Sequence, residues 1–473
     1  MTDTAKRGHI MRSTKVLVAG ICTVAIGVGV GAIPSRADEG SDLKAEVRAL
    51  RAALDAVQKR QQDLERKSAQ RQAAAQAAPI PVKSPFETSH PGYLRVPGTE
   101  TLLKIGGYVK VDGVYDLKST LNGTAANFGD IPLEGTPQSK RNPNFGATAR
   151  ESRFNITTLT PTQFGELKTF IEGDFYGAGG NAEHSNSYGF RLRHAYFEVG
   201  PWLAGQNWTT FSDLETVPET LEFNGPAGFT LARQALVRYT TALGPGALSL
   251  ALENSSSDAQ GATNVWPDLS NGVNFAPEGV VRWKADPSWG HVAVAGLARE
   301  ISIDTGGVTN ALGVTGKSST FGWGVLGALG IKTIGRDQLS FQAVAGEGIG
   351  RYLNNAADDN YQGASVNLDG SLRATPAYGA TVSYLHHWSD WIRTTVAYAH
   401  TAYDRELPRD PFNSIRSLDS LHANLIFVPL TNTVVGFEYI YGHIQKEAFD
   451  PATGASGRDG WAHRIQTSAI VKF

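Results

Sequence analysis

The 473-residue chain has a formal net charge of −2 and only 19% charged residues, so it lacks the basic surplus of a nucleic-acid binder. Its 52 glycines, 20 Phe, 15 Tyr and 9 Trp favour strands and turns over helices, and a chain of this length and apolar content is not generally disordered. The single cysteine, Cys22, excludes disulfides within the chain and Cys-based metal centres, and suits a compartment where free thiols oxidise.

At the start of the chain, Lys6, Arg7, Arg12 and Lys15 precede an uncharged run over 16–33, and Ser35-Arg36-Ala37 has small residues at cleavage-site spacing. This predicts a signal peptide over 1–37; the competing reading is an uncleaved membrane anchor, because the run is long. Next, Leu43, Val47, Leu50, Leu54, Val57 and Leu64 follow alternating spacings of four and three, with Gln61 in the missing place. Over 38–68 this is a heptad seam. A seam so narrow calls for a partner helix, so a coiled coil is preferred to a single solvated helix. An Ala/Gln tract and prolines at 79, 81, 85, 91 and 97 then predict an extended linker over 69–98.

From residue 99 the period changes to two. In "LLKIGGYVKVDGVYDLK", Leu103, Ile105, Val109, Val111, Tyr115 and Leu117 fall on one face, opposite Lys104, Lys110, Asp112 and Asp116. The same alternation returns in "ELKTFIEGDFYG", "QALVRYTT", "EGVVRWKAD", "VVGFEYIYGH" and the closing "WAHRIQTSAIVKF", with turn-rich tracts between. A soluble sandwich would need a second core to use 99–473 this way. A closed sheet needs none, because closure removes the edges and gives the apolar face to lipid and the charged face to a lumen. The predicted fold is therefore an all-β transmembrane barrel of about 16 antiparallel strands, from the strand and loop lengths usual in such barrels. The last strand would pair with the first, near "KIGGYVKVDG", leaving Phe473 at a membrane interface. In "FRLRHAYFEVG", Arg191 and Arg193 share parity with Phe197 and Val199, which either a bulge or strand ends beyond the lipid would explain.

Two features point to function. Arg153, Lys168, Arg191, Arg193, Arg238, Arg282 and Lys284 fall on lumen parity, and charged rings at a constriction set ion selectivity. Glu166, Glu172, Asp174 and Glu438 share that face, so cross-strand pairing is the competing role for these cations. The second feature is a connection of about thirty residues, "LAGQNWTTFSDLETVPETLEFNGPAGFTLARQ", with Asp213, Glu215, Glu219 and Glu222 along it. It either folds inward as a constriction loop or stays outside. The chain has no Gly-x-Ser-x-Gly elbow, His-Glu-x-x-His pair or phosphate-binding glycine loop, so no enzyme, cofactor or metal site is expected.

The phrases "YLRVPGTETLLKIGGYVKVDGVYD", "ESRFNITTLTPTQFGELKTFIEGDFYG", "RLRHAYFEVGPWLAGQNWTTFSD" and "PETLEFNGPAG" resemble the DcaP-like porins of Gram-negative outer membranes. So does the order of signal, coiled coil, linker and barrel. This resemblance implies a homotrimer of sixteen-stranded barrels in outer-membrane lipid, with the coiled coil in the periplasm. It also implies passive uptake of small anionic solutes, carboxylates in particular, past Arg153, Arg191 and Arg193. It further implies that Phe473 is the signal read by the barrel-assembly machinery. The acidic residues of the long connection leave the sign of selectivity open. A structural or adhesive barrel with a plugged lumen is the alternative reading.

Overall fold

A computed structural model describes residues 39–77, 88, 90–121, 123–181, 183–261, 272–309, 315–354, 363–367, 369–404, 414–447 and 457–473. The expected signal peptide and Cys22 lie outside the described residues. The chain divides into two units, 1–81 and 82–473.

The first unit contains one helix, α1 (Glu39–Ala77), which continues through the Ala/Gln tract expected to begin the linker. Alanine and glutamine are good helix formers, and the helix stops before the first proline, which cannot continue it. Val47, Leu50, Leu54, Val57 and Leu64 of the heptad seam are bare along it, from 43% exposed at Val47 to 65% at Leu50. No helix among the described residues is long and apolar enough to cross a membrane.

The second unit is built on one closed antiparallel sheet, with a small separate three-stranded sheet formed by Ala259–Gly261, Ala364–Val366 and Leu372–Ala374. The sixteen strands of the closed sheet are β1 (Leu102–Lys118), β2 (Asn144–Thr148, resuming as Arg153–Thr162), β3 (Gly165–Asn181), β4 (Ser187–Val199), β5 (Trp202–Trp208), β6 (Arg233–Leu243), β7 (Gly246–Glu253) and β8 (Glu278–Ala285). They continue as β9 (Gly290–Asp304), β10 (Lys317–Lys332), β11 (Gln338–Glu347), β12 (Pro376–His387), β13 (Ile392–Tyr403), β14 (Ile415–Leu430), β15 (Thr433–Lys446) and β16 (Asp459–Lys472). A short piece, Leu94–Arg95, pairs with the start of β1 inside the segment expected to be linker. Each strand pairs with its sequence neighbour, and β16 returns to β1 from Tyr108↔Lys472 to Asp116↔Arg464. Phe473 completes the seam by exchanging backbone bonds with Gly107 at 3.1 and 3.3 Å. Closure satisfies backbone groups that no water could reach in a bilayer.

Alternation sorts the side chains as expected. Lys110, Asp112, Asp116, Arg464, Gln466 and Ser468 are buried inside, while Ile105, Val109, Val111, Ile465 and Val471 are bare outside. The outer face also carries exposed aromatics near both rims, among them Trp202, Trp388 and Trp391 at one end and Phe321, Tyr378 and Tyr398 toward the other. That is the girdle pattern of a membrane barrel. Connections at one rim are two to five residues long, whereas those at the other are eleven or more except the five-residue connection between β3 and β4. Three of the longer ones matter below: L1 (119–143), L3 (209–232) and L6 (348–375).

The ambiguity around Arg191 is resolved by a bulge. Glu172 pairs with His194 and Gly173 with Leu192, so Arg193 has no partner across the strand. Inward parity therefore passes from Arg191 and Arg193 to His194, Tyr196 and Glu198, and both arginines face the lumen along with them.

Candidate pore constriction

L3 leaves the wall at the end of β5 and rejoins it at β6, having crossed the lumen to the far side. There it is fastened to β11, β13, β14, β15, β16 and β1. Gln342 of β11 accepts from the Thr230 N–H at 3.0 Å and donates to the Asp213 carbonyl at 3.0 Å. Asn424 of β14 donates to the Glu219 carbonyl at 2.8 Å. The Leu221 carbonyl accepts from Lys110 Nζ at 2.6 Å and Gln466 Nε2 at 2.9 Å, while its N–H donates to Glu438. Contact is so close that a Cβ on Gly379 of β12 would lie 2.3 Å from the Gly228 carbonyl oxygen, and Gly228 itself has φ of +91°. Only glycine meets both demands cheaply.

Three of the four acidic residues on L3 are occupied by these attachments. Asp213 accepts from Thr216 and meets His291 Nε2 at 2.8 Å. Glu219 forms a bidentate pair with Arg393, both distances being 2.6 Å. Glu222 is buried and accepts from the Ala126 N–H of L1 and from the Gly225 N–H, each at 2.7 Å. Burial pushes the Glu222 carboxyl up to about 7 despite those two donors. Glu215 is exposed but does not line the constriction.

A cavity of about 440 Å³ lies between L3, L6 and the wall of β2 to β6. On the wall side it is lined by Arg153, Arg191, Arg193, Trp208 and Arg233. L3 supplies Leu214, Val217, Phe223, Asn224 and Leu231, and L6 supplies Arg351, Leu353 and Asn354. Five arginines line it and no carboxylate does.

The arginines differ in how they are held. Arg191 forms a fork with Asp174 at 3.0 and 2.8 Å. Arg193 bridges Glu172 and Asp174, both at 2.9 Å. Arg153 lies 3.8 Å from both Glu151 and Glu172, and Arg351 lies 3.3 Å from Glu278. The guanidinium carbons of Arg153, Arg191 and Arg193 all lie within 5.7–5.8 Å of the Phe223 ring centre, and that ring stacks on Tyr176 at 4.3 Å. Arg233 stands 4.9 Å over Trp208 and has no ion pair among the described residues; its Nη1 is buried without a hydrogen bond.

The other cations expected in the lumen sit elsewhere. Lys168 pairs with Glu198 at 3.2 Å. Arg282 donates to the Ser212 carbonyl at 2.7 Å, so it helps anchor L3. Arg238 and Lys284 share the inward face of β6 and β8 but do not line the cavity. Strand alternation misses Arg233, because Trp208 and Arg233 are register partners at the ends of β5 and β6 where parity points outward. Arg351 escapes it as well, being on a loop with no periodicity. The unused signal for Arg233 was its position, where the long connection rejoins the wall. Among the described residues no cluster of His, Cys, Asp or Glu is arranged to hold a metal.

A closed sixteen-stranded barrel with a loop folded into its lumen and a charged constriction is the architecture of an outer-membrane porin. The chain belongs to the DcaP outer membrane protein family, whose family model matches residues 37–459. The crystal structure of the outer membrane channel DcaP of Acinetobacter baumannii superposes with a TM-score of 0.64 at 20% identity, covering 79% of this chain and 97% of that one. Porin Omp2b of Brucella suis is 28% identical over 217 residues, which is 43% of this chain and 53% of the relative. Porin Omp2b of Brucella abortus is 26% identical over 200 residues, 39% of this chain and 50% of the relative. The chain thus spans about half the length of the curated relatives it matches.

Proposed function

We propose that this protein is an outer-membrane diffusion channel that favours small anions such as carboxylates. The observation carrying this reading is the arginine-lined cavity with no carboxylate on its surface. Because the acidic side chains Asp213, Glu219 and Glu222 are tied to the wall or to L1, their charges oppose the anion path less than their number suggests. A guanidinium suits a carboxylate because its planar fork meets both oxygens. Arg238, Arg282 and Lys284 add positive potential on the side of the short turns, which draws anions onward, whereas the charge of Lys168 is offset by Glu198. No chemical step is involved; width and lining charge set what crosses.

Reconstitution in planar bilayers tests the reading. Stepwise conductance with a reversal potential favouring chloride in a KCl gradient is expected. Cation preference would sink the anion claim. Absence of steps would favour the alternative, a structural or adhesive barrel plugged by L1, L3 and L6.

The same reading places the long loops outside the cell and α1 in the periplasm. It makes the bare seam of Val47, Leu50, Leu54, Val57 and Leu64 the contact that joins three copies into a homotrimer in outer-membrane lipid. Such an apolar stripe on one helix finds cover in partner helices. Removing 41–68 then weakens the trimer measured by light scattering, and an unchanged mass would count against that role. Phe473, bare at the end of β16, is the residue we assign to recognition by the barrel-assembly machinery.

A further inference from the structure

We infer that the constriction selects organic anions that carry an apolar body, in preference to hydrophilic anions of the same charge and size. This rests on the anion-channel reading above and narrows its substrate class.

The argument begins with what L3 shows to the cavity. With Asp213, Glu219 and Glu222 engaged elsewhere, the loop presents Leu214, Val217, Phe223 and Leu231. Leu214 is 45% exposed, an unusual setting for a leucine on a loop otherwise fastened by buried polar bonds. Water against such a surface is released when an apolar group covers it.

The side-chain amide N–H groups on that face are already engaged. The Asn224 amide donates to the Ala126 carbonyl at 2.7 Å. The Asn354 amide donates to the Asn224 and Pro226 carbonyls at 2.6 and 2.9 Å. A solute bearing many hydroxyls would give up water against Leu214, Val217 and Leu231 and find no polar partner on those side chains, an uncompensated loss.

Arg233 supplies the other half of the site. Arg191 and Arg193 are held by Glu172 and Asp174, which fix their forks and offset their charge. Arg233 alone among the lining arginines has no carboxylate within ion-pair distance among the described residues, and its Nη1 lacks a partner. Its guanidinium carbon stands 4.9 Å over the Trp208 ring centre, a cation–π contact that restrains the side chain before any solute arrives. A single carboxylate on Arg233 leaves the rest of the solute beside Leu231, Leu214 and Val217. The cavity of about 440 Å³ accommodates a six-membered ring with its carboxylate, given that a ~150 Å³ apolar cavity accepts benzene.

The test uses the full-length protein in planar bilayers, with two probes: cyclohexanecarboxylate and quinate, which share a ring and one carboxylate and differ mainly in ring hydroxyls. Chloride current is recorded while each is added. Cyclohexanecarboxylate should block at roughly tenfold lower concentration than quinate, the effect of covering about one leucine-sized apolar surface. The pair Leu214→Asn with Val217→Thr should reduce that ratio toward one. Arg233→Gln should weaken block by cyclohexanecarboxylate, and Arg233→Lys should restore part of it. Equal block by the two probes in a channel that prefers chloride over potassium overturns this inference and leaves the channel reading intact. Potassium preference in the KCl gradient overturns the channel reading, and this inference with it.

Discussion

The lumen has two walls that use the same residue types for different ends. On the β11–β16 and β1 side, Lys110, Arg393, Arg464, His422 and Glu438 are tied to loops or to each other. Arg464 is completely buried, forks onto Asp116 at 2.7 and 3.1 Å, and donates to the Gly123 and Thr124 carbonyls of L1. On the β2–β6 side, Arg153, Arg191, Arg193 and Arg233 line the cavity, Arg193 with only 4% of its surface exposed. Charge sign does not separate the walls; what separates them is whether a loop lies on top. An ionised group under a loop holds the loop in place, and the same group facing the cavity sets which solutes enter.

The sharpest way to break this contrast is to remove one arginine from each wall. Arg464→Ala leaves Asp116 buried without its partner and should destabilise the barrel by ~3–5 kcal/mol. Arg233→Ala, which breaks no ion pair, should change stability by less than ~1 kcal/mol. Urea unfolding of refolded barrels in detergent measures both. Comparable losses at the two sites would mean that the walls do not differ as described.

A middle-sized effect is expected within the open wall. Arg193→Ala removes a positive charge and also takes from Glu172 its 2.9 Å partner, leaving it only Arg153 at 3.8 Å, while Asp174 keeps its fork with Arg191, so one negative charge gains access to the cavity. Its reversal potential should move further toward potassium than that of Arg233→Gln, which uncovers no carboxylate. Equal shifts would show that lining charge counts only by number and that pairing is immaterial.

How much of this was legible beforehand follows the same division. The alternation of "LLKIGGYVKVDGVYDLK" and "WAHRIQTSAIVKF" identifies both closing strands, because parity is a local property that the sheet preserves. Arg153 faces the cavity in keeping with its parity. Arg193 was legible only as a conflict, since a bulge depends on the partner strand's register and not on its own residues. Arg233 and Trp208 were hidden because strand parity lapses where L3 departs. The inward orientation of Leu214 and Val217, with Asp213 and Glu219 turned to the wall, was illegible altogether. Loop side chains have no period, and their directions are set by His291, Arg393 and Gln342, far away in sequence.

The smallest expected effect concerns the clasp between L1 and L3, where a carboxyl sits under a loop with no cation as its direct hydrogen-bond partner. Glu222 has its pKa raised by burial from 4.5 to about 7, so the folded protein takes up a proton as pH falls through 7 while the unfolded chain waits until about 4.5. Folding stability contributed by this group therefore rises on acidification between those values, and the penalty for holding the bare carboxylate is fully present above pH 7. Glu222→Gln never carries that charge. Whatever its own hydrogen bonds with Ala126 and Gly225 are worth, their strength does not titrate in this range. The difference in melting temperature, variant minus wild type, should accordingly be more positive at pH 8 than at pH 5. A difference independent of pH would show that the two N–H donors fully compensate burial. Glu222 would then act as an ordinary ionised anchor like Glu219.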